Sequence, residues 1–449
     1  MQHTGDLEPA GLAYAPDEYV PEPTAWDDAP AEPKLPLPLT LVLLTVFLPE
    51  GLSFFIAGLR LTLTRLIFLV IAPMLFAKLG DKIGRGEFRL VASDIFIPLA
   101  AVWMFLGPAV MSGIGDSLVH SGPVVLEFLI AYLCTRVLLS GPGAARAFVS
   151  KTCLVVAVVC LSGLLDTLTG RYFIRDLVGS LTGFSGAMRI DQDQYRFGLL
   201  RAAGPIEHAI LYGFVSTLGL LLSLTLTNRL RMFCIGACLL GVVLSFSSAP
   251  EQCAMMGLGL LFYRHMFRGV RRRWLLLSIL PIATTIFLFS ATPSPFGHLI
   301  DLLTIDPMTA YYRLYIWNMV GPPILEHPWF GVLPADVDYE GSIDSVWLVL
   351  SGTYGMPCAI LTGLSMIGAC SLPTDVKQTG LTDSEARLGT VLGIVMFLII
   401  FMGFTVHFWG STWIFIGLLI GVRAHLGELG QLGERRVTED EEEMEPAYS

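Results

Sequence analysis

A chain of 449 residues with 54% apolar and only 15% charged side chains is not an ordinary soluble domain, in which charged types make up about a quarter. Its mean hydropathy of +0.66 is more than an aqueous core could hide, so a bilayer is the solvent that remains. The formal charge of −10 belongs to the tails, which carry −7 (residues 1–36) and −6 (residues 424–449), leaving +3 on the body and no basic surface suited to nucleic acid.

Residues 1–36 are rich in Pro and acids and read as a disordered cytoplasmic tail. They lack the basic start and apolar stretch of a secretory signal, so the first span is expected to act as an uncleaved anchor. A membrane domain, residues 37–423, follows. A span needs roughly 20 apolar residues, and twelve candidates occur near 38–58, 61–79, 93–111, 122–140, 148–166, 205–226, 232–249, 252–267, 274–291, 345–367, 388–406 and 410–423. The first pair is interrupted by Pro49 and Glu50. Residues 424–449, with the run Glu439 to Glu443, read as a second disordered acidic cytoplasmic tail. The predicted fold is thus an all-α polytopic membrane protein of about 12 transmembrane helices. It has two long outward loops, near 167–204 and 292–344, the second partly helical. All eight cysteines fall inside or at the edge of apolar spans without metal-ligand spacing to a His, and are read as small buried hydrophobes.

Lys and Arg fix the direction of insertion. With the N-terminus cytoplasmic, 17 of the 25 basic residues of the body fall on inner loops, and the short outer connections near 112–121, 250 and 407–410 receive none. Both termini are therefore expected inside. The eight outward basic residues are all arginine: Arg60, Arg65, Arg171, Arg175, Arg189, Arg196, Arg201 and Arg313. A guanidinium fork grips phosphate oxygens at two points, which an ammonium cannot do. Long loops escape the positive-inside rule, so indifferent placement is the plainer alternative. Glu50, Arg65, Glu127, Asp166, Glu207 and His208 also lie towards the outer side of their spans, where ionisable groups are costly and become functional candidates, unless they snorkel to the interface.

Two segments stand out. Arg196-Phe197-Gly198-Leu199-Leu200-Arg201 runs through Gly204-Pro205 and Glu207-His208 into a span, with Pro205 expected in the first helical turn. Asp306-Pro307 opens a helix over 308–320 on which Arg313 and Trp317 share a face beside Tyr311, Tyr312 and Tyr315. An aromatic face beside Arg suits a carbohydrate with a charged leaving group; an interfacial helix with an aromatic belt is the plainer reading. Glu326-His327-Pro328-Trp329-Phe330-Gly331 and Asp344-Ser345-Val346-Trp347 follow.

In three motifs the chain resembles the O-antigen ligase/polymerase-like superfamily of bacterial membrane glycan enzymes. They are Arg-x-x-Gly-Pro-x-x-His (Arg201 to His208), Arg-x-x-x-Trp (Arg313 to Trp317) and His-Pro-x-Phe-Gly (His327 to Gly331). The resemblance covers most of the membrane body and neither tail. It implies a metal-independent glycosyltransferase, without cofactor, acting on polyprenyl-diphosphate-linked oligosaccharide at the outer face of the bacterial inner membrane. Arg201 and Arg313, supported by Arg196, would hold the diphosphate. His208, His327 and Asp344 are the candidates for the general base. Membrane lipid, a chain-length regulator and export proteins are the partners such a role implies. Ligases of this family often carry His-Asn where this chain has Asp344-Ser345, which favours a polymerase over a ligase. A glycolipid transporter or flippase is the reading from another class. It would place charges near the midplane and pair its broken helices.

Overall fold

The computed structural model describes residues 33–56, 59–183, 194–270, 272–291, 307–332, 341–374 and 376–444. Its helices are α1 Leu37–Thr45, α2 Leu63–Gly84, α3 Ala92–Ser112, α4 Ile114–Leu138, α5 Ala144–Thr169, α6 Phe173–Thr182, α7 Ala209–Ser223, α8 Leu230–Leu244, α9 Ser248–Met266 and α10 Arg273–Ala291. They continue with α11 Pro307–Glu326, α12 Val346–Tyr354, α13 Met356–Ser371, α14 Val376–Thr379, α15 Asp383–Met402 and α16 Gly410–Met444. Two short antiparallel hairpins interrupt them, β1 Ser53–Ile56 with β2 Leu59–Thr62 and β3 Tyr195–Arg196 with β4 Leu199–Leu200.

Among the described residues, seven helices are long and apolar enough to cross a membrane: α2, α3, α4, α5, α10, α15 and the Gly410–Leu432 part of α16. Three shorter apolar helices, α7, α8 and α13, supplement them. The expectation of a first span over 38–58 is corrected. Helix α1 lasts nine residues, and the chain then turns through Pro49 and Glu50 into the β1–β2 hairpin. Proline supplies no N–H to continue a helix, and Arg60 pairs back onto Glu50 at 3.0 Å, which closes the hairpin over that turn. The span expected over 345–367 is divided at Gly355 (φ +96) into α12 and α13. Backbone groups at that break are met by the segment after α11: Met356 N donates to Pro328 O at 2.8 Å, and Val332 N to Gly352 O at 2.7 Å. Irregular backbone at membrane depth survives only with such internal partners. Gly355 lies so close to the Trp329 carbonyl that a Cβ could not be fitted.

The core forms where α16 packs along α4, α13 along α3, and α7 against α5, α8 and α9. Glycines permit the first contact: a Cβ at Gly417 or Gly421 would run into the α4 backbone at Phe128 or Tyr132. All eight cysteines are free thiols and seven are buried. The last helix continues past residue 424, where the sequence reading begins a disordered tail; Ala424, Leu426 and Glu428 are buried.

The two ends of the bundle differ. One, the basic end, carries Lys82 and Arg89 beside Glu428, Arg146 bonded to Ser384, and Arg264 and Arg387 around a shared cleft. The other, the loop end, gathers the β1–β2 hairpin, residues 170–183 and 194–208, and the turn from Gly403 to Gly410, joined by the contacts described next.

Candidate functional site at the loop end

The site is built on one buried carboxylate. Asp166, near the end of α5, accepts hydrogen bonds from Phe173 N (3.0 Å), Ala203 N (3.1 Å) and Gly204 N (2.7 Å). It thereby ties the α5–α6 turn to the corner that follows Arg201. Gly204 (φ +55) packs against Ser162, where a Cβ would stand 2.9 Å from the hydroxyl. Because Asp166 takes these amides and Ile206 N closes a turn on Ala203 O, helix α7 starts at Ala209. This corrects the expectation that Pro205 sits within its first turn; Glu207 and His208 precede the helix as well.

Arg201 is 8% exposed and fixed from several sides. Its N–H donates to Gln194 O at 2.9 Å, its Nε to Ser245 O at 3.2 Å and its Nη2 to Ser247 Oγ at 2.5 Å. Between those two serines, Phe246 has a positive φ of 42°. Such a conformation costs a bulky residue of order 1–3 kcal/mol, and here it turns two neutral oxygens towards one guanidinium. Phe197, also at positive φ (53°), meets Phe246 edge to face at 6.2 Å from the tip of the β3–β4 hairpin, where it is 87% exposed. Arg196 lies on that hairpin, opposite Leu199.

His208 is the N-cap of α7, its Nδ1 accepting from Ile210 N at 3.2 Å. That bond assigns the proton to Nε2. Burial, then the charges of Arg201 and Arg175, push the imidazole down to about 4, so it is neutral at pH 7 and presents a donor. Arg175 on α6 stands over the Tyr172 ring at 5.2 Å; burial pushes its guanidinium down, against the nearby charges of Glu207, Tyr172 and Asp166. His208 thus lies within the fields of both Arg201 and Arg175.

Glu207 faces a second environment. Its Oε1 accepts from Ser411 N (2.8 Å) and its Oε2 from Ser411 Oγ (2.9 Å). It lines a narrow cavity of about 30 Å³ with Glu50, Glu127, Arg60 and Arg65, room for about one water. In that cavity Arg65 pairs with Glu127 at 2.8 Å. Burial, opposed by the Ser411 hydrogen bond and assisted by Glu50, pushes the Glu207 carboxyl up to about 7.

Arg313 and Asp344 form a second cluster. Burial pushes Arg313 down and Asp344 up, and each charge opposes the other's shift. Ser342 Oγ donates to Asp344 at 3.2 Å. Among the described residues the Arg313 Nε is buried without a hydrogen-bond partner. One turn along α11, Trp317 Nε1 donates to Phe404 O at 3.2 Å.

The turn from Gly403 to Gly410 links the clusters. Phe404 meets Trp317, Trp409 lies 6.2 Å from the His208 ring, and the adjoining Ser411 holds Glu207. Sequence reasoning gave this turn no role because it lacks Lys and Arg. It contains His407, whose ring stacks on Trp409 at 5.3 Å and is pushed down to about 4 by burial. Its Nδ1 has no hydrogen-bond partner among the described residues.

The structure brings Arg201 together with His208, and Arg313 with Asp344. His327 joins neither. It is exposed at the far end of α11, fourteen positions or roughly 21 Å from Arg313 at helical rise. Its neighbours Trp329 and Phe330 instead pack on Trp103 of α3, through a 3.0 Å hydrogen bond and a stack at 5.9 Å. The His-Pro-x-Phe-Gly segment therefore braces the α12–α13 break. Arg189 lies outside the described residues. Among the described residues no group of three or more His, Cys, Asp or Glu could hold a metal ion.

The fold and its apolar helices define a polytopic helical membrane protein. Compared with family models and with curated proteins, the chain matches none.

Proposed function

We propose that this protein is a metal-independent membrane glycosyltransferase that polymerises polyprenyl-diphosphate-linked oligosaccharide units at the outer face of a bacterial inner membrane. Both termini are cytoplasmic in this reading, because the basic end faces the cytoplasm and the loop end faces out. The observation that carries it is the preorganised Arg201 guanidinium, aimed by Ser245 and Ser247 beside Arg175 and a neutral His208.

The chemistry follows from charge. A hydroxyl oxygen of the acceptor unit attacks the anomeric carbon of the donor. The bond from that carbon to the diphosphate oxygen breaks, and polyprenyl diphosphate leaves with the electron pair. Negative charge grows on the leaving group, where fixed donors act most strongly. Arg201 and Arg313 hold the diphosphate, Arg196 supports them from the hairpin, and His208 Nε2–H adds a donor. The exposed Tyr311, Tyr312 and Tyr315 offer a face for sugar rings, Tyr312 and Tyr315 stacking at 6.4 Å.

Glu207 is the proposed acceptor of the proton of the attacking hydroxyl, reached through a water in the cavity it lines. His208 is excluded as base by its occupied Nδ1, and His327 by its distance. Asp344 is engaged with Arg313. A carboxyl held near 7 is matched to accepting a proton at neutral pH.

The test is reconstitution of the purified protein with polyprenyl-diphosphate repeat units. Polymer is expected from the wild type. The Arg201→Ala and Arg313→Ala variants, still membrane-inserted, should leave single units on the carrier. Full-length polymer from both variants overturns the assignment. Transfer of finished polymer to a lipid or protein acceptor, without chain growth, would make the protein a ligase. Movement of glycolipid across proteoliposomes without bond formation would make it a flippase.

A further inference from the structure

The basic end contains an unassigned cleft. It opens between the end of α9, the start of α10 and the start of α15, with a volume of about 740 Å³. Among the described residues Arg264, Arg273 and Arg387 line it, together with the Asp383 carboxylate and the Thr374 hydroxyl. The three guanidinium groups are close enough that Arg264 feels the repulsion of both others. Among the described residues none of the three makes an ion pair. Tyr263 fixes the corner by donating to the Arg273 carbonyl at 2.6 Å, and Arg273 Nη1 turns back to Arg268 O at 3.2 Å. Three guanidinium groups facing one cleft with a single described carboxylate leave it net positive and attractive to an anion.

The surroundings say which anion. Helix α10 rises directly from the cleft, and Leu275, Ile279, Ile282 and Ile286 are exposed along it. An anion that places its charge at the foot of α10 has apolar surface for its tail immediately above. Basic pockets between helices on this side of a membrane hold lipid phosphates in the same manner, and Arg is the side chain whose geometry grips phosphate oxygens in pairs.

We propose that this cleft binds the phosphate of an anionic phospholipid, with its acyl chains lying along α10. The inference is independent of the glycosyltransferase reading, because no loop-end residue takes part in it.

Native mass spectrometry of the full-length protein in neutral detergent tests it. The protein is titrated separately with short-chain phosphatidylglycerol, phosphatidylcholine and inorganic phosphate. Each Arg near a membrane surface contributes about fivefold to anionic-lipid binding. Phosphatidylglycerol should therefore bind at least about fivefold tighter than phosphatidylcholine, and the R264Q/R387Q variant should erase most of that preference. Inorganic phosphate should compete only at far higher concentration. Equal binding of the two lipids, or a preference that survives the double substitution, overturns the proposal. Phosphate binding as tight as that of phosphatidylglycerol overturns the lipid and leaves a free-anion site. Arg387 is exposed, so R387Q alone serves if the double variant does not fold; an unchanged preference in R387Q also overturns it.

Discussion

Arg136 and Arg201 are both buried, at opposite ends of the bundle, and their surroundings differ in kind. Arg136 is fully enclosed between two carboxylates. Its Nε and Nη2 donate to Asp94 at 2.8 and 3.0 Å, its Nη1 to Glu428 at 2.8 Å, and Nη2 also to the Arg89 carbonyl at 2.8 Å. Phe88 covers the guanidinium face at 4.2 Å. Glu428 also accepts from Arg89 N at 3.0 Å, and Asp94 from Val91 N at 2.9 Å. That network spends its charge inside the fold and fastens α3, α4 and α16 together. Arg201 is instead aimed by a carbonyl and a hydroxyl, and the turn that supplies them is strained. Arg136 fastens helices through two carboxylates, whereas the described acceptors of Arg201 include a neutral carbonyl and a hydroxyl. Burial alone does not separate them, whereas the chemistry of their acceptors does.

The contrast is sharpest under substitution. Replacing Arg136 by Ala leaves Asp94 and Glu428 buried without a counter-charge, a change that costs about 3–5 kcal/mol. The expected result is a large drop in thermal stability in detergent and in membrane yield, with turnover per folded molecule retained. Near-wild-type stability would mean that this network is not the fastening it looks to be. Arg201→Ala should do the reverse, lowering transfer about 10²–10³-fold, the range seen when one preorganised donor to a developing anion is removed. Arg201→Lys should recover little of it, because an ammonium cannot reach both Ser245 and Ser247 and still present a fork.

Glu207 supplies the next test. Its ionised fraction, and with it the rate, should rise with pH through about 7; Glu207→Gln should lower the rate about 10²-fold and flatten the profile. The sign for stability is opposite. The folded carboxyl keeps its proton up to about 7, whereas the unfolded one releases it near 4.5, so the folded state binds more protons and loses stability as pH climbs between those values. Melting curves of wild type and Glu207→Gln across that window should therefore converge at low pH and separate above it. The smallest effect belongs to His327→Ala: an exposed side chain away from both clusters should change stability by no more than about 0.5 kcal/mol and leave transfer unchanged. A severe activity loss would return His327 to the site.

Much of the helical frame was legible because hydropathy reports burial in lipid directly. Helices α2, α3, α5, α10 and α15 lie close to their expected ranges, while α4 begins at Ile114 and takes in most of the connection expected near 112–121. The failures share a cause: they depend on contacts between distant positions. Nothing local announces that Arg60 pairs with Glu50, and so an apolar stretch read as a span becomes a hairpin. Gly355 stands in an apolar run that looks continuous until the Trp329 carbonyl is packed against it. The site divides in the same way. Arg201, His208, Arg313 and Asp344 could be nominated from residue type and position. The serines that aim Arg201 lie 44 and 46 residues away, and Ser411, which holds Glu207, lies 204 away. His407 and Trp409 had a weaker signal, a His and a Trp flanking Phe408 in the short gap between two apolar helices. Counting only Lys and Arg passed over it.

The three-amide clamp on Asp166 has a bearing on how such a protein can diversify. It fixes the chain on both sides of the segment between Gly183 and Gln194, at Phe173 before it and at Ala203 and Gly204 after it. Lengthening or rewriting that segment adds loop entropy that grows only slowly with length, and the anchor downstream keeps its position. Arg201 and the corner after it therefore keep their place on α5 whatever length of chain precedes Gln194.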